Sequence, residues 1–204
     1  MKSYYIKTAI LRPGLILFIN LLLIPVTLAD AKTDGEKGIA EYRQGNMIAG
    51  MQLLQKSAEQ GYAPAQVTLA YIMDHAEQDK EAFSWYEAAA EQNHAGGLFG
   101  LGTMYAKGEG TEKDPIEAGR LIEQSAQIGH APAMLAYANA LEYGQLGFER
   151  SNSKSVTWYL KAANASDEAA MRRLKKAYLN GELGLPIDLE EAAKWDTHNN
   201  PKAE

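Results

Sequence analysis

One stretch of the sequence decides the fold: residues 79–110 read DKEAFSWYEAAAEQNHAGGLFGLGTMYAKGEG. From Asp79, where a helix N-cap is expected, small and aromatic residues recur every three or four positions up to Asn93, which predicts a helix with one apolar face. From Ala95 the same spacing predicts a second helix, and Gly108 is typical of a helix C-terminus. The two helices are predicted to pack antiparallel and to need neighbours that cover their apolar faces.

The same pattern recurs on both sides of this stretch. An offset of 32 residues relates Leu54 to Tyr86, an offset of 36 relates Ala82 to Ala118, and an offset of 37 relates Trp158 to Trp195. A period of this length with paired helices predicts an all-α fold, a right-handed α-solenoid of about five antiparallel helix pairs. The first pair is interpreted as incomplete, because residues 32–38 are rich in lysine and glycine and resemble a flexible lead-in. The loop after residues 63–75 is shorter than the later ones.

Several spaced motifs identify the repeat type. They are LGxxYxxGxG at 101–110, followed by Asp114 and Ala118, then WYxKAA at 158–163 and GELGLPIDLEEAAKW at 181–195. Together they resemble the Sel1-like repeats, which are related to the tetratricopeptide repeats, over residues 36–198. The resemblance implies an adaptor that binds a protein or peptide in its concave groove, as in signalling, envelope assembly or host contact.

The N-terminus has the composition of a secretory signal. Lys2, Lys7 and Arg12 precede the apolar run LILFINLLLIPVTLA, and residues 29–31 form an A-x-A cleavage pattern. We expect a signal peptide or an N-terminal anchor at 1–31, the repeat solenoid at 32–198 and a polar tail at 199–204. Export to the periplasm or secretion is therefore predicted, with membrane attachment only through an uncleaved N-terminal segment.

Charge and cysteine content exclude several functions. The chain of 204 residues has a net charge of -6, and the part after residue 31 carries -8, so nucleic acid is excluded as a partner. The absence of cysteine excludes disulfides, a thiolate nucleophile, cysteine ligands for zinc and a lipoprotein anchor. No cofactor is expected.

The resemblance places the groove on the first helix of each pair. The expected groove residues are Tyr71, Asp74, His75, Phe99, Thr103, Lys107, Leu135, Asn139, Glu142, Tyr143, Arg172, Arg173 and Lys176. The basic end of this set favours a partner whose negative end lies toward the C-terminal pair. Arg172 and Lys176 with Asn139 also resemble a clamp for a terminal carboxylate. The alternative is a solvated basic face that offsets acids such as Glu168.

No catalytic or metal site is predicted. Ser151 to Lys154 spells S-x-x-K, a nucleophile motif of penicillin-recognising enzymes, but its position before a helix favours an N-cap. His94 and His130 occupy the same repeat position, which Tyr62 fills one unit earlier. Stacked repeats separate such positions by about 8–10 Å, too far to share one ion.

Three functions follow from these observations. The first is a non-catalytic, exported interaction module that binds a protein or peptide in its groove. The second is an envelope enzyme that acts on cell-wall material or β-lactams. The third is a structural protein that assembles with itself through the C-terminal helix, because no further repeat covers the helix that carries Trp195.

Overall fold

The computed structural model describes residues 14–196, with side chains from residue 29 onward. Residues 1–13 of the predicted leader and the predicted tail at 199–204 lie outside this range. The described residues form ten helices and no strand. The helices are α1 Gly14–Arg43, α2 Met47–Glu59, α3 Ala63–His75, α4 Asp79–Glu91, α5 Ala95–Lys107, α6 Pro115–Gln127, α7 Ala131–Tyr143, α8 Asn152–Asn164, α9 Glu168–Asn180 and α10 Leu189–Lys194.

The helices form a single row of five pairs. Each helix packs against the next one along the chain, and α3 also contacts α1 and α5. Contacts are therefore made mainly between sequence neighbours, as in a solenoid. The predicted all-α solenoid of five helix pairs is confirmed.

The deciding stretch folds as predicted apart from one residue. It forms α4 and α5, separated at Asn93, which has a positive φ of 56°. Gly108 ends α5 in the left-handed conformation, with φ 83°. The N-cap of α4 is Gln78 and not Asp79, which is already the first helical residue. Asp79 there still places a negative charge at the positive end of the helix dipole.

The prediction of a flexible lead-in at residues 32–38 is wrong, because this segment belongs to α1. Its glycines are sites of close helix packing. A Cβ on Gly35 would lie 2.5 Å from the Ser57 Oγ, and one on Gly38 would lie 2.9 Å from the backbone nitrogen of Leu54. The first helix pair is therefore complete, with α2 packed directly on α1.

Small residues allow helices of neighbouring pairs to approach closely. A Cβ on Gly97 of α5 would lie 2.6 Å from the Ala89 Cβ of α4. Two pairs also carry an internal hydrogen bond from a buried serine to the partner helix. Ser57 Oγ of α2 donates to the Ala31 carbonyl of α1 at 2.6 Å, and Ser125 Oγ of α6 donates to that of Ala95 of α5 at 2.7 Å.

The loops within pairs lengthen along the chain. The loop between α3 and α4 is 76–78, whereas those after α5, α7 and α9 are 108–114, 144–151 and 181–188. The predicted shortening after residues 63–75 is thus confirmed. In the part of the chain that the structure describes, no helix is long and apolar enough to span a membrane.

Candidate functional site

A cavity of about 490 Å³ opens on the face formed by the first helices of pairs one to three. This volume is within the range of sites that hold a small molecule or several side chains of a peptide. Its lining is mainly apolar and aromatic. The lining residues are Ile39, Tyr42 and Arg43 of α1, Val67, Thr68, Tyr71 and Asp74 of α3, Tyr86 of α4, Gly96, Phe99, Gly100, Thr103 and Met104 of α5, and His130 before α7.

Glycines on α5 shape the floor of this cavity. A Cβ on Gly100 would lie 2.3 Å from Cε1 of Tyr86, so the tyrosine ring lies directly against the α5 backbone. A Cβ on Gly96 would lie 3.2 Å from Cγ1 of Val67. Because glycine has no side chain, Tyr86 reaches this cavity even though it belongs to α4, the second helix of its pair.

Two charged side chains of the lining have no hydrogen-bond or ion-pair partner in the part of the chain that the structure describes. Asp74 and Arg43 form no side-chain hydrogen bond or ion pair with any residue that the structure describes. The lining threonines, in contrast, bond to their own helices: Thr103 Oγ1 donates to the Phe99 carbonyl at 2.9 Å and Thr68 Oγ1 to that of Pro64 at 2.8 Å. Asp74 and Arg43 are therefore available to a ligand.

Two tyrosines, Tyr71 and Tyr86, share the cavity lining with Asp74. Tyr71 is 52% exposed, and its ring centroid lies 4.0 Å from that of His75. Tyr86 is buried, and burial, with smaller contributions from the charges of Asp74 and Tyr71, raises the pKa of its hydroxyl. The Tyr86 hydroxyl has no hydrogen-bond partner among the described residues. A carboxylate with tyrosine rings beside it is suited to a cation.

One histidine, His130, lies in the cavity lining beside Phe99. The His130 ring lies 5.3 Å from that of Phe99, between centroids. His94 and His130 are the N-caps of α5 and α7, as Tyr62 is of α3, which confirms their predicted equivalence. Burial lowers the pKa of both histidines, and the charge of His94 lowers that of His130 further.

Of the thirteen residues expected in the groove, four line the cavity: Tyr71, Asp74, Phe99 and Thr103. His75 is exposed, and its ring contacts that of Tyr71 at a tilt of 44°. Lys107 Nζ forms an ion pair with Glu109 at 2.9 Å. The four lining residues belong to α3 and α5, between the contributions of α1 and of His130.

The four expected residues of α7 lie outside the cavity lining and differ in environment. Leu135 packs against the C-terminal core, and Tyr143 is 60% exposed. Asn139 Oδ1 lies 2.5 Å from the Tyr159 hydroxyl. Glu142 is buried and accepts a hydrogen bond from the same hydroxyl at 2.6 Å.

The expected basic end on α9 is paired within the chain. Arg173 donates from Nη2 to Glu142 Oε1 at 2.7 Å and from Nη1 to Glu182 Oε2 at 2.8 Å. Arg172 pairs with Glu168 at 3.0 Å, and Lys176 lies 3.7 Å from the Glu182 carboxylate. Each of these three cations is thus paired within the part of the chain that the structure describes, as in the interpretation that they offset neighbouring acids.

The buried carboxylate of Glu142 is held ionised by this network. Burial alone would raise its pKa, but the hydrogen bonds from Arg173 and Tyr159 outweigh burial and lower it. In return, the hydrogen bond and charge of Glu142 raise the pKa of the Arg173 guanidinium. The network joins α7, α8 and α9, so its role is structural.

Sequence reasoning missed the contribution of α1 to the cavity. Ile39, Tyr42 and Arg43 were not expected there, because the first pair was interpreted as incomplete. The signal was present: Gly35 and Gly38 are three residues apart, the spacing of a helix face that packs closely on another helix. Tyr86 was missed because it belongs to the second helix of its pair and reaches the cavity only beside Gly100.

The sequence motifs with possible chemistry have structural roles here. Ser151 is the N-cap of α8, and its hydroxyl accepts a hydrogen bond from the Lys154 backbone nitrogen at 3.4 Å, as predicted. Among the described residues, no group of three or more His, Cys, Asp or Glu could hold a metal ion.

The fold and the cavity define a class: a helical repeat protein with a cavity on the face of its first helices. The chain belongs to the Sel1 repeat family, whose model matches residues 35–62, 65–94, 95–130, 131–167 and 169–195. The first matched repeat begins at Gly35, within the segment that sequence reasoning interpreted as a lead-in.

Known proteins resemble this chain in structure or in sequence. A Sel1 repeat protein from Oxalobacter formigenes has a similar crystal structure, with a TM-score of 0.75 and 28% identity over 81% of this chain and 68% of that one. An exopolysaccharide production negative regulator from Rhizobium leguminosarum bv. viciae is 30% identical over 58% of this chain and 49% of its own length. Chitin synthase regulatory factor 3 from Schizosaccharomyces pombe is 30% identical over 64% of this chain and 15% of its own. The chain thus spans half or less of the length of these two relatives.

Proposed function

We propose that this chain is an exported, non-catalytic interaction module that binds a segment of a protein partner in the cavity between α1, α3 and α5. The cavity itself is the observation that carries the proposal. Four aromatic side chains line it, Tyr42, Tyr71, Tyr86 and Phe99, and tyrosine is enriched among residues that dominate binding energy at protein interfaces.

The relatives and the leader sequence support this proposal. The two curated relatives are both named as regulators, and regulation through a repeat array commonly takes place by holding another protein. The basic and apolar composition of residues 1–31 supports export. We therefore propose an adaptor or scaffold that works in the periplasm or outside the cell.

Site-specific photo-crosslinking in the source cells tests the binding surface. A benzophenone amino acid is placed at Tyr71, which lines the cavity and is exposed, or at Tyr143, an exposed tyrosine of α7 outside the lining. We expect the Tyr71 position to crosslink to one defined segment of a partner protein and the Tyr143 position to give none of this product. Equal products at both positions, or none at Tyr71, would refute the cavity as the binding site.

Cell fractionation tests the location independently. We expect the chain in the periplasmic or secreted fraction, with a mass lower than that of the full sequence by the leader. Full-length chain in the cytoplasmic fraction would refute export while leaving the cavity proposal open to its own test.

Self-association is a second candidate, because the last pair exposes apolar side chains. Leu179 is 41% exposed, Ile187 69% and Leu189 70%. If this surface joins two copies, the mass measured by light scattering should rise with concentration, and Leu189→Glu should keep it at that of the monomer. A constant monomer mass for the parent chain would exclude this candidate.

A further inference from the structure

We infer that the cavity binds a basic side chain, a lysine or arginine of the partner segment, between the Asp74 carboxylate and the rings of Tyr71 and Tyr86. The inference rests on the proposed function, since it names the chemistry of the segment bound in the same cavity. Its consequence is a partner segment that presents one basic residue among apolar ones.

The carboxylate of Asp74 is the first observation. It lies in the cavity lining, is only partly exposed, and has no cationic partner among the described residues. A half-buried carboxylate loses part of its hydration, and a cation that binds it compensates for that loss through a charge-assisted hydrogen bond. Lys107 senses the charge of Asp74, which contributes to its raised pKa, but its ion pair at 2.9 Å is with Glu109.

The rings beside Asp74 are the second observation. Tyr71, Tyr86 and Asp74 line one cavity, and the charge of Asp74 is sensed at the Tyr86 hydroxyl. A cation over the face of an aromatic ring is stabilised by the electron density of the ring, most strongly where water is partly excluded. The unpaired Tyr86 hydroxyl offers a further oxygen acceptor.

Apolar surface around this group favours a peptide over a free cation. Val67, Phe99 and Met104 lie in the same lining and would cover apolar side chains on either side of the basic residue. Arg43, the other unpaired charge of the lining, is exposed at the end of α1. It would attract an acidic group of the segment, but its exposure makes that contribution smaller than the one at Asp74.

Selection from a random dodecamer phage library on the immobilised chain tests the inference. The same library is selected on Asp74→Asn, Asp74→Lys and the matched control Asp79→Asn, an aspartate of α4 outside the lining. We expect the parent chain and the control to enrich sequences with Lys or Arg beside apolar residues. Asp74→Asn should lose the enrichment for the basic residue, and Asp74→Lys should reverse it toward Glu or Asp.

Binding of one selected peptide, measured by fluorescence polarisation, gives the magnitude. Asp74→Asn should weaken binding by about tenfold, as for loss of a hydrogen bond to a charged group. Replacement of the peptide lysine by norleucine should weaken binding to the parent chain by the same factor. It should not weaken binding to the Asp74→Asn variant any further. The norleucine measurement uses the unaltered protein, so it decides the question even if a variant folds poorly.

The outcomes separate the two proposals. In one outcome, the selected peptides contain no basic residue, bind less well to Tyr71→Ala and bind equally well to Asp74→Asn. This result would overturn the cation site and leave the cavity as a protein-binding surface. If no selected peptide is weakened by Tyr71→Ala or Asp74→Asn, both the cation site and the proposed function are overturned.

Discussion

The guanidinium of Arg173 and the carboxylate of Glu142 form a two-point ion pair across the boundary between the fourth and fifth helix pairs. The distances are 2.7 Å between Nη2 and Oε1 and 3.1 Å between Nε and Oε2. Both side chains are largely buried, 18% and 7% exposed. A pair in such a place stabilises only while both members are present, because either one alone leaves a buried charge.

We therefore expect Arg173→Ala to destabilise the chain strongly, by about 3–5 kcal/mol, since Glu142 then loses its partner. The matched control is Arg172→Ala, which removes an exposed pair with Glu168 on the same helix and should change stability by less than about 0.5 kcal/mol. Urea unfolding followed by circular dichroism measures both. Similar losses for the two variants would contradict a structural role for the buried network.

Stability should fall in mild acid because of His94 and His130. Burial lowers the pKa of both in the folded chain. As the pH falls below about 6.5, these histidines therefore take up protons in the unfolded chain before they do so in the folded chain. Their contribution to the free energy of unfolding is fully present above this pH and is lost progressively below it. Unfolding at pH 7.5 and 5.5 measures the decline.

The histidine variants identify the source of this decline. His94→Tyr with His130→Tyr, which copy the N-cap residue Tyr62, should reduce the decline. Glu142 acts at lower pH: its pKa is lowered by its partners, so its contribution is present above the normal carboxyl range and is lost only in stronger acid. An unchanged decline in the double variant would refute the assignment.

Two glycines with positive φ should differ in their tolerance of alanine. At Gly45, with φ 86°, an added Cβ meets no atom within 4 Å, so only backbone strain of about 1–2 kcal/mol is expected. At Gly110, with φ 69°, the Cβ would lie 2.3 Å from the Asp79 carbonyl oxygen, so the loop must also move. Thermal unfolding of Gly110→Ala should show the larger loss, and an equal loss would contradict the close approach.

The position of the mature N-terminus should affect stability. A chain that begins at Asp30 keeps the Ala31 carbonyl, which accepts the Ser57 hydroxyl at 2.6 Å. A chain that begins at Lys32 lacks this carbonyl and should be less stable by about 1–3 kcal/mol, because the buried hydroxyl loses its acceptor. Ser57→Ala should reduce the difference in stability between the chain that begins at Asp30 and the chain that begins at Lys32. An unchanged difference would mean that the hydrogen bond is not its cause.

Ser151 provides a test that separates capping from catalysis. Loss of the N-cap in Ser151→Ala should cost about 1 kcal/mol of stability. The parent chain should not turn over a chromogenic β-lactam. Turnover that Ser151→Ala abolishes would instead revive an enzyme that acts on cell-wall material or β-lactams.

The sequence predicted the repeat architecture closely because local signals define each unit. Small residues such as Ala89 and Gly97 set the close approach of neighbouring helices, and positive φ at Gly108 ends a helix. The start of the array was misinterpreted, because an apolar leader followed by Lys and Gly resembles a processed, flexible segment. In the structure, tertiary contacts to α2 make that segment helical.

The candidate site was only partly predictable. Family positions on α3 and α5 identified Tyr71, Asp74, Phe99 and Thr103. The same positions on α7 and α9 gave polar residues that bond to one another, such as Glu142 and Arg173, 31 residues apart in sequence. Whether a charged residue faces a ligand or a neighbouring repeat depends on its partners in space, and one sequence does not contain that information.

The serine bonds within pairs have a consequence for how such an array can evolve. Ser57 and Ser125 each reach a carbonyl in the helix before their own, inside one pair, and not across to the next pair. A gene duplication or deletion that adds or removes a whole pair would leave each of these bonds intact. The length of the array is therefore free to change without loss of these internal bonds.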